Sequence, residues 1–591
     1  MNIADKLKSL RTIMAENKVD AIIIPSSDPH QSEYVAAHWQ ERAWVSGFTG
    51  SAGTVAITQK HAGLWTDSRY FIQGEMELKG TSFVLHKMIN QFSAPWIDFL
   101  VDELPSGSIV AINGLMFSKS AMDGMKSTLS ASNLNLLHRL DLVSQAWADR
   151  PALSMETVTL HETKYAGKSI DQKLSLIRID MQNSGADYHL ITALDDLCWT
   201  FNIRGKDVDY NPVAIAYAVI AKNDAHLFIH PGKLSKAASE ALKTNRVTIH
   251  HYEDIIGFLN QLESGKSILT DPNLCSANLY EAINAKTITG ISIPKGLKAI
   301  KNEIECGHIR NVMKKDGAAL AHTFYWLENA LQNKEKVKET DVANQLIANR
   351  SQQKYYHNES FGAIVGYREN GAIIHYHPEP ETCKTILPEG ILLVDSGGQY
   401  CDGTTDITRT FALSTPSEEE KKAYTVILQG MVALSRSKFP EGTMGVQLDT
   451  FARQFLWAEG MNYGHGTGHG VGFFMNVHEP PQGFAPNIAE RGKTVHLPGM
   501  LSSNEPGFYK EGAFGMRIEN LILCVPSATP GFLEFETVTL YPFDHALIDK
   551  SRLSKGEIQW INDYHKKVYK QISPLLKGDV KVWFKEKCRK I

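Results

Sequence analysis

Apolar and polar positions in the first half of the chain fall into two similar series. Residues 7–18 show helical spacing, 21–25 form an unbroken apolar run that reads as a strand, and 54–58 and 64–66 predict two more strands. Between them stands WVSGFTG at 44–50. The order returns further on, with a helix over 174–183, a strand over 188–192, WTFNIRG at 199–205, and strands over 214–220 and 225–229. In both series a Trp (Trp44, Trp199) precedes a Gly by six residues, at what the pattern predicts to be a strand-to-loop transition. The residue-by-residue match is weak, but the succession of elements agrees, which predicts two related α/β domains.

The Pro-ended segment AWADRP at 146–151 suits a linker between them. A second boundary falls near 298–305. There a charged helix begins and runs through Met313, Ala318 and Trp326 with helical apolar spacing. The chain beyond this helix is richer in Gly and in strand-like runs. The expected division is 1–150, 151–302 and 303–591.

Composition narrows the function classes. With 43% hydrophobic and 21% charged residues, a net charge of -4 and a pI near 6.6, the chain reads as soluble and globular. It has no long Lys/Arg block that would suggest a nucleic-acid partner. The locally basic stretch 566–590, which includes Trp583 and Phe584, is expected to be a solvated helix with a buried stripe. The seven cysteines are scattered and form no CxxC pair, as suits reduced thiols. The opening MNIADKLKSLRTIM reads as an amphipathic helix, not a secretory signal. No apolar run reaches the roughly 18 residues of a membrane span, and a cytoplasmic location is expected.

The chemistry-bearing residues gather in the last third. In ILLVDSGGQYCDGTTDITRTF at 391–411, two β-rich runs flank a Gly-containing turn. A hairpin there puts Asp395 and Asp406 on neighbouring strands, where both carboxylates can face one point. An unpaired buried carboxylate costs several kcal/mol or becomes protonated, and a cation between the two removes that cost. In YGHGTGHGVG at 463–472, followed by His478, alternating Gly lets the backbone pack closely while the imidazoles of His465 and His469 project into a shared cavity. The pattern is neither GxGxxG nor HExxH. Glu505 ends a predicted strand before Pro506-Gly507, and Glu519 lies in an apolar strand where an ion pair with Arg517 is the structural alternative. Taken singly each residue reads as structural. Together four carboxylates and one imidazole suit Mn²⁺, Co²⁺ or Zn²⁺ in an open site. Two such ions need bridging carboxylates and can share a hydroxide that is nucleophilic at neutral pH.

At these residues the sequence resembles the pita-bread metallopeptidases, and within them the long, three-domain cytosolic aminopeptidase P family. The segments LLVDSGGQYCDGTTDITRT, HGTGHGVG, NEPGFY and GMRIEN carry the resemblance. TDSRYF at 66–71, LDDLCW at 194–199, NIRG at 202–205 and NGAIIHY at 370–376 support it over essentially the whole chain. It implies an α/β and α+β multidomain fold, with two creatinase-like N-terminal α/β domains before a pita-bread catalytic domain. It also implies roles. Asp395 would hold one metal, His469 and Glu505 the other, and Asp406 and Glu519 would bridge them. His375, His465 and His478 would line the substrate site with His469 and shuttle protons, Glu505 would manage the proton of the attacking water, and Arg69 would help hold the peptide. Two Mn²⁺ ions, peptides with N-terminal Xaa-Pro and a homodimer are implied by the same resemblance. Arg368-Glu369 depart from it, standing where the family often has smaller residues or Pro.

A bond before proline is a tertiary amide without an N–H, so its hydrolysis needs a pocket for the ring and a proton donor aimed at the leaving nitrogen. His478 or His375 could donate. The rival readings are a prolidase-type Xaa-Pro dipeptidase, a non-catalytic pita-bread binding module that has lost its ligands, and a creatinase-type amidinohydrolase.

Overall fold

The computed structural model describes residues 1–89 and 93–591. The chain divides into two compact units, Met1–Glu162 with Lys168–Lys295, and Thr163–Gly167 with Gly296–Ile591.

The N-terminal unit contains two six-stranded sheets. In the first, Ala21–Ile24 pairs antiparallel with Thr54–Thr58 and parallel with Ile109–Ala111; Ala62–Asp67, Val84–Met88 and Asn135–Leu137 complete it. In the second, Tyr188–Ile191 pairs antiparallel with Tyr217–Ala221 and parallel with Ser267–Thr270; Ala225–Phe228, Val247–His250 and Lys286–Thr289 complete it. Counted from its own start, each sheet runs fourth, third, second, first, fifth, sixth, with the same parallel and antiparallel neighbours. The succession of elements predicted from the apolar pattern is therefore a duplicated topology.

A side-chain cluster repeats too. His61, Trp65 and His86 pack at the first sheet against Phe99 of the helix Pro95–Glu103, with His86 stacked on Trp65 at 4.1 Å. At the second sheet His226, Phe228 and His250 make the same arrangement with Phe258 of the helix Ile255–Gln261, and His250 stacks on Phe228 at 4.7 Å. The two histidines of each cluster approach to 3.1 Å.

One expectation is corrected. Trp44 and Trp199 are not at strand-to-loop transitions but within the short helices Glu41–Ser46 and Leu194–Thr200. Both helices are buried over most or all of their length, so their apolar residues lack the one-sided spacing that marks a surface helix. Trp44 stacks on Trp147 at 5.2 Å, within the core formed by Leu7, Leu10, Met14 and Ile22.

The second unit opens with the 30-residue helix Glu303–Gln332. It starts where Asn302 and Glu305 form a capping box, each accepting from the other's backbone amide. A three-stranded antiparallel sheet (Ile364–Tyr367, Ile391–Ser396, Ile407–Ala412) stands beside a six-stranded one whose central members are Asn520–Pro526 and Leu501–Asn504. Long helices (Glu418–Ser435, Gly445–Ala458, Lys555–Ile572) pack their apolar faces on these sheets. The resulting core includes Ile309, Val394, Met431, Leu501, Leu521 and Ile561.

The basic C-terminal stretch is helical as expected. Phe584 is buried and the Trp583 indole N–H donates to Glu328 at 2.9 Å. All seven cysteines are free thiols. Among the described residues no helix is long and apolar enough to cross a membrane.

Candidate metal centre

Four of the five proposed ligands sit where two sheets end. Asp395 occupies the penultimate position of Ile391–Ser396, opposite Thr408 of the neighbouring antiparallel strand. Asp406 immediately precedes that neighbour, so the expected hairpin places both carboxylates at one end of the pair. A second small hairpin, Gly398–Tyr400 with Gly403–Thr404, intervenes between them. Glu505 follows the strand Leu501–Asn504, and its amide donates to the Thr467 carbonyl at 2.8 Å. Glu519 is not inside a strand but in the step between Phe514–Arg517 and Asn520–Pro526, where its amide donates to the Thr408 carbonyl. His469 lies in the three-residue strand Gly468–Gly470, flanked by its two glycines. A Cβ at Gly468 would collide with the Ser503 carbonyl, so only Gly permits the approach that sets His469 beside Glu505.

These strands bring Asp406, His469 and Glu519 together, with one ligand atom of each within 4.8 Å of the others. All three are buried, at 4%, 5% and 1% exposure. The His469 Nδ1 lies 2.9 Å from the Gly470 carbonyl, which makes Nδ1 the protonated nitrogen in the neutral ring. Nε2 then carries the lone pair, and it faces Asp406 Oδ2 at 3.5 Å and Glu505 Oε1 at 3.4 Å. An acceptor facing two carboxylate oxygens needs a positive charge between them.

The carboxylates make the same demand. Burial first, and then the charges of Glu519, Asp395 and Glu505, push the Asp406 carboxyl well above its ordinary value. Glu519 is driven the same way by burial, Glu505 and Asp395. Burial pushes Glu505 up to about 7, against the lowering pull of Arg517. Glu519 Oε2 accepts from the Thr408 hydroxyl at 2.8 Å, but its Oε1, like Asp395 Oδ1, is buried without a hydrogen-bond partner. Two orphaned carboxylate oxygens, a correctly tautomerised imidazole and a surplus of negative charge fit divalent cations with oxygen-rich coordination.

Arg517 does not form the ion pair with Glu519 that serves as the structural alternative. Its Nη2 donates to Asp395 Oδ2 at 2.6 Å, its Nη1 to the Tyr509 hydroxyl at 2.6 Å, and its Nε to Thr408 Oγ1 at 3.1 Å. Tyr509 in turn lies 2.9 Å from His465 Nε2. Asp395 is thus fixed through one oxygen and left with the other to ligate. The true partner of Arg517 escapes sequence reasoning because the contact with Asp395 joins positions 122 apart in the chain.

The other histidines occupy loops with separate supports. His478 packs edge-on against His469, ring centroids 4.2 Å apart. It precedes Glu479, whose carboxylate is bonded to Lys301 in a fully buried ion pair. The loop bearing His465 is held by Arg453, which donates to the carbonyls of Tyr463 (2.9 Å) and His465 (2.6 Å) and pairs with Asp449. His375 lies half-buried in the segment between Tyr367 and Lys384. Arg69 belongs to the N-terminal unit, where it makes a forked pair with Asp67 at 2.8 and 2.7 Å.

A duplicated α/β unit and a carboxylate-rich cation site on antiparallel sheets define a metallohydrolase. Comparison with known proteins gives the finer assignment. Residues 307–526 match the model of metallopeptidase family M24, and 531–591 that family's C-terminal region. Residues 6–140 and 149–305 match two models of the creatinase/prolidase N-terminal domain. Aminopeptidase P2 of Arabidopsis thaliana is 39% identical over 98% of this chain and 87% of its own. A protein of Laccaria bicolor named "Probable Xaa-Pro aminopeptidase P" is 39% identical over 100% and 94%. The crystal structure of the X-prolyl aminopeptidase of Caenorhabditis elegans, described as a cytosolic enzyme with a di-nuclear active site, superposes with a TM-score of 0.95. It is 33% identical and covers 100% of both chains. The chain belongs to the aminopeptidase P group of metallopeptidase family M24, with two creatinase-like α/β domains before a pita-bread catalytic domain.

Proposed function

We propose that this chain is a dinuclear metal-dependent aminopeptidase that releases the N-terminal residue from peptides with proline in the second position. The observation that carries the reading is the buried Asp406, His469 and Glu519 cluster, with the unpartnered oxygens of Asp395 and Glu519 beside it. Asp395 would hold one ion, His469 and Glu505 the second, and Asp406 and Glu519 both. When bound, the ions, Mn²⁺ by preference and Co²⁺ or Zn²⁺ as alternatives, would supply an acidified water and a Lewis acid for the scissile carbonyl. Everything else falls to the chain. Glu505 takes the proton of the attacking water. His465, held against the Tyr509 hydroxyl, lines the site. His478 or His375 delivers a proton to the prolyl nitrogen, which as a tertiary amide nitrogen leaves poorly unless protonated. Arg69 would help hold the peptide.

The division into 1–150, 151–302 and 303–591, a cytoplasmic location and a homodimer complete the reading. Whole-length similarity to the nematode enzyme supports the location. Metal-reconstituted protein assayed on Xaa-Pro-Xaa tripeptides beside Xaa-Pro dipeptides tests it. Release of the first residue from the tripeptides is expected. Cleavage of dipeptides alone would make the protein a prolidase, and no hydrolysis at full metal content would make it a binding module.

A further inference from the structure

Glu339 is the first residue of the helix Glu339–Ser351, and its side chain is wholly buried. Its Oε1 accepts from the Tyr367 amide at 2.8 Å and from Asn370 Nδ2 at 3.0 Å. Its Oε2 accepts from the Tyr376 hydroxyl at 2.8 Å and the Lys384 amide at 2.7 Å, with Asn370 Nδ2 at 3.1 Å. The Glu339 amide returns a bond to the Lys384 carbonyl at 3.1 Å. Both ends of the 367–384 segment and two points within it therefore converge on one carboxylate. His375 is the residue next to Tyr376.

The supports of the other two histidine loops differ in kind. Arg453 has Asp449 on the same helix, so that charge keeps its counter-ion if the His465 loop moves, and Glu479 is paired with the cation Lys301. All the donors to Glu339 are neutral, and every one comes from the segment it holds. A buried carboxylate is tolerated only where hydrogen bonds replace its hydration, and losing them costs several kcal/mol. The first-turn amides of its own helix add a favourable dipole but no substitute for five bonds. The segment consequently cannot leave one donor at a time without stranding the charge, which makes its closure cooperative. The latch also holds strain, because Arg368 takes a left-handed conformation (φ 55°), unfavourable for a residue with a Cβ. On its other side the segment presses Gly371 against Gly515, so tightly that a Cβ at Gly515 would strike the Gly371 carbonyl. Gly515 belongs to the hairpin that carries Tyr509 and Arg517.

We infer that Glu339 is a positioning residue, whose carboxylate latches the 367–384 segment and thereby sets where His375 meets the substrate. The inference rests on the proposed reading of His375 as a substrate-facing residue. Glu339→Gln keeps the shape but turns one acceptor into a donor, so one rim of the cradle is left donor against donor.

A double-mutant cycle with His375→Ala on a Xaa-Pro-Xaa tripeptide tests the latch, with kcat, KM and metal content measured for each protein. Glu339→Gln is expected to lower kcat about tenfold or more at parental metal content, and to give less than about a twofold further loss in the His375→Ala background. Amide exchange across 367–384 should rise in the same variant. Equal losses in both backgrounds would overturn the inference, because the carboxylate would then act independently of His375. Parental kcat in Glu339→Gln, with His375→Ala impaired, would overturn it as well. Parental turnover in His375→Ala would instead sink the reading of the site. Should Glu339→Gln fail to fold, Tyr376→Phe removes a single bond from the cradle and runs through the same cycle with the same outcomes.

Discussion

At the scale of single residues the metal centre is a problem in charge. Asp406, Glu519 and Glu505 are held above their ordinary values chiefly by burial, so without cations the folded protein binds protons that the unfolded chain does not. A carboxyl raised on folding contributes stability that is fully present below its unfolded value and lost as pH rises through its folded one. For Glu505, moving from an ordinary 4.5 up to about 7, that loss is on the order of 3 kcal/mol between those two values. Asp406 and Glu519 act in the same direction. Metal-free protein should therefore have a lower urea midpoint at pH 8 than at pH 5, and metal should flatten the difference. Cation binding near pH 6 should release protons, seen by calorimetry in buffers of different ionisation enthalpy. A midpoint that rises with pH in the metal-free protein would contradict the assignment. Asp406→Asn removes the charge proposed to bridge the ions. It should abolish metal retention and reduce hydrolysis to background while circular dichroism stays unchanged; retained activity at normal metal content would show the bridge is elsewhere.

Among the elements, the loops depend on charges placed at helix ends and in helix bodies. Arg453, in the helix Gly445–Ala458, stacks over Tyr463 at 3.9 Å while bonding the carbonyls that shape the His465 turn. Arg453→Met would strand the buried Asp449 carboxylate, whose other bond comes from the Thr467 hydroxyl at 2.6 Å. A loss of about 3–5 kcal/mol in urea unfolding is expected, the scale for breaking a buried pair from one side. A change below about 1 kcal/mol would mean that Asp449 is solvated or protonated there. This scale is also where the sequence was legible and where it was not. Strands such as Ala21–Ile24 are contiguous apolar runs and declare themselves. The helices carrying Trp44 and Trp199 are short and buried, and have no periodic polar face to read. The proposed ligands drew notice because carboxylates and imidazoles beside glycines have few structural uses in a sheet. Glu339 and Lys301 were not, because a charge whose partners lie 28 to 178 positions away looks like any surface residue.

For the whole molecule, all five proposed ligands lie between positions 395 and 519, inside the second compact unit. The first unit has its own cores, one around Leu10, Val45 and Leu64 and another around Val219, Phe228 and Ile268. A cation that binds only the folded site stabilises it by mass action, by about 2.7 kcal/mol at a hundredfold excess over the dissociation constant. That free energy enters the unfolding equilibrium of the unit that forms the site. Multi-domain chains commonly unfold in more than one step, so the effect can be assigned to a step. Scanning calorimetry of metal-loaded and chelator-treated protein should show one transition moving down by several degrees on metal removal. Limited proteolysis at the intermediate temperature should identify the released segments as belonging to Gly296–Ile591. If chelation instead loosened Met1–Glu162 first, the metals would be coupled to residues of the N-terminal unit. A ligand assignment confined to the second unit would then be incomplete.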